Sequence, residues 1–86
     1  MEPFLVEFET GDWNNSLLYR HDGEEFIYLL EGRLRYRHGK SSYLLAPGDA
    51  LTFRGSVAHG PEKLIKLPIR MLAIIIYDDE MARLVI

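Results

Sequence analysis

Turn-forming residues recur about every eight to twelve positions along the whole chain, and this spacing limits the possible folds more than any other feature. Glycine, proline and aspartate mark these turns at positions 11–12, 22–23, 32, 38–39, 47–49, 55–56, 60–61 and 68. Apolar and aromatic segments fill the intervals, and no segment has the long 3.6-residue period of a helix. Short strands at this spacing are typical of a β-sandwich or a β-barrel, so the pattern predicts an all-β fold.

The length of 86 residues corresponds to one domain, spanning positions 1–86. We expect strands at residues 4–9, 17–21, 25–31, 33–38, 42–45, 50–53, 58–62 and 69–77. Two segments, 26–30 and 71–77, are apolar on both faces, so both faces need cover. The interior of a barrel covers one face. The other needs a second sheet layer, a neighbouring domain or a partner subunit, and for this reason we expect a homodimer.

Charge composition argues against a nucleic-acid-binding domain. Ten basic and thirteen acidic residues give a net charge of −3, whereas a chain that binds nucleic acid by itself is normally basic. Arg33, Arg35 and Arg37 alternate with apolar residues, which predicts a solvated face of a strand. We therefore expect no direct contact between this domain and nucleic acid.

The absence of cysteine excludes disulfides, thiolate metal sites and cysteine nucleophiles, and it fits a reducing compartment. No signal peptide is visible at the N-terminus. The longest apolar run, residues 71–77, is too short to span a bilayer. We expect a soluble, cytoplasmic protein with no membrane partner.

His21 and Glu25 flank a possible three-residue turn at positions 22–24, with Gly23 able to adopt the unusual backbone angle that such a turn needs. A hairpin there would place the two side chains directly opposite each other, with their Cβ atoms about 5 Å apart. Imidazole nitrogen and carboxylate oxygen at that separation can share one metal ion. Tyr19 shares a strand face with His21 because the two lie two residues apart.

His59 lies on a predicted strand, where a single histidine is more often structural than functional. Its position favours a functional role, because His59 follows the turn at 47–49, one strand and a second turn at 54–56.

These residues resemble the two sequence motifs of the cupin family. Tyr19, His21, Glu25 and Gly32 match the first motif, H-x-H-x3–4-E-x6-G, and the segment 47–59 resembles the second, P-G-D followed by P-x-G-x2-H. The match extends over about residues 17–77. The resemblance implies a small barrel of the double-stranded β-helix or jelly-roll type. It also implies an interior metal ion held by His21, Glu25 and His59.

The match has departures. Tyr19 replaces the usual first histidine, Arg54 the usual proline and Ser56 the usual glycine. Two histidines and one carboxylate form the facial triad that suits non-haem Fe(II) and leaves coordination positions open. Manganese, nickel or zinc could also bind such a site, so the cofactor we expect is a divalent transition metal (Fe, Mn, Ni or Zn). In the metal-free alternative, His21 and Glu25 form a plain hydrogen-bonded pair and His59 is a core histidine.

Two functions remain open, and both need a small-molecule ligand. Segments 1–4, 21–32 and 45–49 are similar to the C-terminal cupin domains of bacterial helix-turn-helix regulators of the xenobiotic-response-element type. That similarity implies an effector-binding, dimeric sensor, either an isolated domain of a longer regulator or a stand-alone relative. The alternative is a metal-dependent oxygenase or related cupin enzyme that uses the two-histidine, one-glutamate site. The interior-facing candidates for ligand binding are Tyr19, Tyr36 and Phe53, with Met71.

Overall fold

The computed structural model describes residues 1–10 and 18–79. In this part of the chain five strands follow one another: β1 (Glu2–Phe8), β2 (Glu24–His38), β3 (Ser41–Leu45), β4 (Ala50–Arg54) and β5 (His59–Ile76). All the strand pairs are antiparallel. The all-β prediction is confirmed. No helix in the described part of the chain is long and apolar enough to cross a membrane.

The two long strands, β2 and β5, organise the sheet. Residues 24–28 of β2 lie between β4 and β5, whereas residues 34–38 lie between β3 and β5. β1 pairs with the other edge of β5. The predicted breaks within β2 and within β5 were therefore wrong, because ladder hydrogen bonding continues through irregular positions that the sequence suggests are turns.

Gly32 lies at one of these irregular positions. Its φ angle is 89°, and a Cβ atom there would collide with the carbonyl oxygens of Lys66 and Pro68. Only glycine fits, because other residues rarely adopt this φ and have a side chain to accommodate. The alternation of inward and outward side chains changes phase here: Glu25 and Ile27 face inward before the bulge, and Leu34 and Tyr36 face inward after it.

The core consists mainly of the side chains that β2 and β5 direct inward. One residue from β3 and one from β4 complete it. The buried apolar residues that pack together are Ile27, Leu29, Leu34, Tyr36, Leu45, Phe53, Ile69, Met71 and Ala73. Because residues from almost every strand meet in this cluster, it ties the two ends of the long strands into one packed unit.

The three alternating arginines are exposed, as the sequence predicts. Arg33 pairs across the ladder with Lys66 and Arg35 with Lys63, so like charges lie directly opposite each other on this face. Such pairs slightly destabilise a sheet, which is consistent with side chains that extend into solvent.

The outer face of the sheet at the other end is apolar. Phe26 pairs with Ile74 and Tyr28 with Leu72, and all four side chains are only partly buried. Residues 26–30 and 71–77 thus bury one face in the core and leave the other partly open within the described part of the chain, as expected for strands that need outside cover.

The strand predicted at residues 17–21 is not a full strand. Among residues 18–21, Tyr19 makes a single bridge to His59. Leu17 lies outside the described residues.

Candidate metal centre

His59 is fixed by the main chain at the start of β5. Its N–H donates to the Tyr19 carbonyl at 3.0 Å, and the Tyr19 N–H donates back to the His59 carbonyl at 2.7 Å. Its side chain is 2% exposed, and its ring packs against Phe53 with ring centroids 4.7 Å apart. The histidine is therefore held in one position inside the fold.

Glu25 enters the site from β2. Its cross-strand neighbours are Phe53 on β4 and Ile75 on β5, so it sits in the middle of a three-stranded region. Its side chain is buried. A buried carboxylate needs hydrogen-bonding or cationic partners to offset the loss of water.

His21 reaches Glu25 by a route that differs from the predicted hairpin. Glu25 is not its cross-strand partner; instead, the N–H of His21 donates to the Gly55 carbonyl at 2.9 Å. The N–H of Gly55 donates in turn to the Gly23 carbonyl at 2.9 Å. Residues 21–23 thus run along the turn after β4 and do not fold back on β2, so the hairpin prediction was wrong.

The three predicted side chains nevertheless meet. The Nε2 atom of His21 lies 2.7 Å from Oε1 of Glu25, and Nε2 of His59 lies 3.2 Å from the same oxygen. The two imidazole rings are nearly perpendicular, with centroids 4.9 Å apart. One potential ligand atom from each of the three residues falls within 4.8 Å of the others, which makes them a group that could hold a metal ion.

Main-chain carbonyls determine which nitrogen of each ring faces the site. Nδ1 of His21 lies 2.8 Å from the Asp22 carbonyl, and Nδ1 of His59 lies 2.8 Å from the Val57 carbonyl. A carbonyl only accepts hydrogen bonds, so each Nδ1 carries the proton. In the neutral ring Nε2 then carries a lone pair that is directed at the site, which is the arrangement found for histidine ligands of metals.

A cation between the three side chains would make their close contacts around Glu25 favourable. Two neutral imidazoles that direct lone pairs at one carboxylate oxygen would repel it, so a proton or a metal ion must lie between them. Adjacent ligands of an ion bound at about 2.1 Å lie about 3 Å apart. The separations of 2.7 and 3.2 Å are therefore close to those of a coordinated group.

Without a metal, the site is an ion pair with perturbed titration. Burial opposes charge on His21, but hydrogen bonds to the Asp22 carbonyl and to Glu25 outweigh it and raise the pKa of His21 above 6.5. Burial likewise opposes charge on Glu25, but hydrogen bonds from His59 and His21 outweigh it and lower the pKa of Glu25 below 4.5. The buried carboxylate is thus ionised at neutral pH.

Gly55 supplies the space for His21. A Cβ atom at this position would overlap the imidazole ring of His21. The φ angle of Gly55 is not in the left-handed region, so this glycine is required for space and not for backbone conformation. The sequence marks position 55 only as part of a turn, and no signal in a single sequence separates these two uses of glycine.

The three side chains lie at the wall of a cavity of about 420 Å³. Tyr19 and Tyr36 line it, as does Met71. Phe53 is not a lining residue and packs behind His59 and Tyr36. Sequence reasoning missed the wall that β1 contributes, formed by Phe4, Val6 and Phe8. Their alternation along β1 was the available signal.

Comparison with known families gives one match that covers most of the chain. The family model described as "Cupin domain" matches residues 4–75. No match is found among curated proteins.

Solved structures with the same fold include hydroxypropylphosphonic acid epoxidase from S. wedmorenis, with a TM-score of 0.69 and 23% sequence identity over 86% of this chain and 42% of that chain. The crystal structure of Fe(II) HppE has a TM-score of 0.71 and 22% identity, again over 86% of this chain and 41% of that chain. A cupin-2 domain protein from Shewanella frigidimarina NCIMB 400 has a TM-score of 0.63 and 21% identity over 86% and 69% of the two chains. This chain spans about two fifths of the HppE chains.

Replacing Gly55 with alanine should displace His21 without unfolding the protein. The added methyl group would occupy the position of the imidazole ring, so the hydrogen bond to Glu25 should be lost and the pKa of His21 should fall. Titration of the imidazole by NMR measures this change. Ser56→Ala, at the exposed neighbouring position, is the control and should titrate like the wild type. An unchanged His21 pKa in Gly55→Ala would contradict the positioning role of Gly55.

The metal-free protein should owe part of its stability to the His21–Glu25 pair in a defined pH range. A raised His21 pKa stabilises the fold below about pH 6.5, and this contribution is lost as pH rises through the folded-state pKa. A lowered Glu25 pKa stabilises it above about pH 4.5, and this contribution is lost as pH falls through the folded-state pKa. We therefore expect His21 and Glu25 both to stabilise the fold between about pH 4.5 and pH 6.5.

Urea denaturation of chelator-treated protein across pH tests this expectation. The free energy of unfolding of Glu25→Gln should fall furthest below that of the wild type between about pH 4.5 and 6.5. Glu24→Gln is the control, since Glu24 pairs with Arg54 at the surface. A stability difference between Glu25→Gln and wild type that does not vary with pH would refute the coupling.

Proposed function

The chain belongs to the cupin family, and we propose that it is a domain that holds a divalent transition metal on His21, Glu25 and His59 and binds a small molecule beside the ion. One observation carries this proposal. Both imidazoles direct Nε2 at a single buried carboxylate oxygen, while both Nδ1 atoms are engaged by main-chain carbonyls at the wall of a cavity.

The donor set suits several metals. Two imidazoles and one carboxylate can bind Fe(II), Mn(II), Ni(II) or Zn(II), and crystal structures of HppE include Fe(II), Co(II) and apo forms. Three protein ligands leave coordination positions for water or a ligand. When bound, such an ion supplies a Lewis acid at the cavity wall. The carbonyls of Asp22 and Val57 would hold the two imidazole rings in the orientation that directs Nε2 at the ion.

We favour ligand binding of the sensor type over catalysis. Apart from the three candidate ligands, the polar side chains that line the described cavity are Tyr19 and Tyr36. A reaction that needs a separate acid and base finds no such pair in this wall. The sensor role is what the sequence resemblance of segments 1–4, 21–32 and 45–49 to cupin domains of helix-turn-helix regulators implies.

A metal-dependent oxygenase or related cupin enzyme is the second candidate, supported by the facial-triad donor set and by the fold shared with an epoxidase. Oxygen uptake by the Fe(II)-loaded protein in the presence of small organic substrates would favour the enzyme over the sensor.

Metal binding should depend on His59. Titration of chelator-treated protein with Zn(II) or Fe(II) should give one ion per chain, and His59→Ala should weaken the affinity by more than about 100-fold, since it removes a direct ligand. His38→Ala is the matched control: its ring bonds the Arg54 carbonyl, and it should bind like the wild type. Equal metal contents in His59→Ala and wild type would refute the proposed site.

The partly open apolar face of the sheet supports a homodimer. Phe26, Tyr28, Leu72 and Ile74 form a contiguous patch through their cross-strand pairs. An exposed apolar patch of this kind is typical of an interface, and a second copy of the chain would cover it symmetrically.

Sedimentation velocity at micromolar concentration should therefore detect a dimer. Ile74→Glu should shift the protein to a monomer, because it places a charge in the interface. Leu44→Glu changes an exposed leucine on β3 and should leave the dimer intact. A wild-type monomer at these concentrations would rule out the dimer.

A further inference from the structure

The cavity beside the candidate metal centre has an unusually apolar wall. β1 contributes Phe4, Val6 and Phe8, and β5 contributes Pro61, Met71, Ala73 and Ile75. No lysine or arginine lines it among the residues that the structure describes. A ligand in this cavity would therefore contact hydrocarbon along most of its surface.

Polar groups are concentrated at one region of the cavity. The carboxylate of Glu25 and the two imidazoles form one group, and Tyr36 adds a hydroxyl. Tyr36 is 3% exposed, and within the described part of the chain its hydroxyl makes no hydrogen bond. Burial, with the nearby charges of Glu25 and Tyr19, raises the pKa of Tyr36, so the hydroxyl keeps its proton and can donate to a ligand.

An anionic ligand would be poorly accommodated here. In the metal-free protein its charge would lose water and find no lysine or arginine in the described wall. Burying a charge without a partner is strongly unfavourable.

Cavity size limits the ligand further. An apolar cavity of about 150 Å³ holds one benzene molecule. The cavity of about 420 Å³ is close to three times as large and lies within the range of small-molecule sites. It has room for a molecule of about two to three rings or an aliphatic chain of similar volume.

From these features we infer that the cavity of the metal-free protein selects a neutral, predominantly apolar small molecule of two to three rings or similar volume, with one hydrogen-bonding group for Tyr36. The inference rests on the proposed function in one respect: the cavity beside His21, Glu25 and His59 is a ligand site. It adds the chemical class that the site selects, which the metal ligands alone do not define.

Two fluorescent dyes with the same aromatic skeleton test the inference. N-phenylnaphthylamine is neutral, whereas anilinonaphthalenesulfonate carries the same rings and one sulfonate. Fluorescence titration of chelator-treated wild-type protein should show that the neutral dye binds at least about tenfold more tightly, a difference of about 1.4 kcal/mol. Equal or tighter binding of the sulfonate, or no binding of either dye, would overturn the inference.

Substitutions on β1 locate the bound dye. Val6 lines the cavity, whereas Glu7 is exposed and lies beside Arg70, so Val6→Lys and Glu7→Gln each raise the charge by one unit at neighbouring positions of one edge strand. We expect Val6→Lys to improve sulfonate binding at least about fivefold and Glu7→Gln to leave the preference for the neutral dye unchanged. The same change in both variants would place the dyes outside the cavity and contradict the assignment.

A cavity-filling substitution provides a second measurement if Val6→Lys does not fold. Ala73 is 1% exposed and lines the cavity, so Ala73→Leu should weaken the neutral dye at least about fivefold by occupying part of its space. Because the dyes are titrated without metal, their result is independent of metal binding. Loss of the metal site in the earlier titration with retained dye selectivity would refute the proposed metal function alone.

Discussion

A single carboxylate oxygen of Glu25 receives two imidazole nitrogens, and the arrangement of the site depends on this shared contact. The carboxylate is buried and ionised, so it requires positive charge nearby. Either a proton on His21 or a metal ion can supply that charge. The same geometry is therefore compatible with two states, an ion pair in the metal-free protein and a coordination group around the proposed metal ion.

The sheet brings three distant parts of the chain to this point. Glu25 comes from the central strand β2 and His59 from the start of β5, while His21 lies on a segment held by hydrogen bonds to the turn after β4. Since β2 and β5 both contribute to the core and to the cavity wall, folding of the core and assembly of the site are coupled. β1, on the edge of the sheet, completes the apolar side of the cavity.

The grouping of the three candidate ligands could be predicted from sequence because residue types and spacing matched a family pattern over most of the chain. The backbone path that brings His21 to Glu25 could not be predicted. It depends on the hydrogen bond from His21 to the Gly55 carbonyl and on the space left by the missing side chain of Gly55. The predicted breaks within β2 and β5 were wrong for a related reason. Gly32 resembles a turn signal in the sequence, but pairing between β2 and β5 continues past it and only the phase of the side chains changes. Local composition suggests where the backbone is unusual, and only the partner strand shows whether it ends there.

The hydrogen bonds between main-chain carbonyls and the two histidine rings affect which substitutions the sequence of this protein can tolerate. Because the carbonyls of Asp22 and Val57 orient the rings, no neighbouring side chain has to supply that hydrogen bond. The carbonyl is present whichever amino acid occupies either position. Substitutions in the cavity wall can therefore accumulate and alter what the cavity accepts while the imidazoles keep their orientation. The proposed ligand selectivity and ion binding would therefore depend on different parts of the structure, so that substitutions could change one without changing the other.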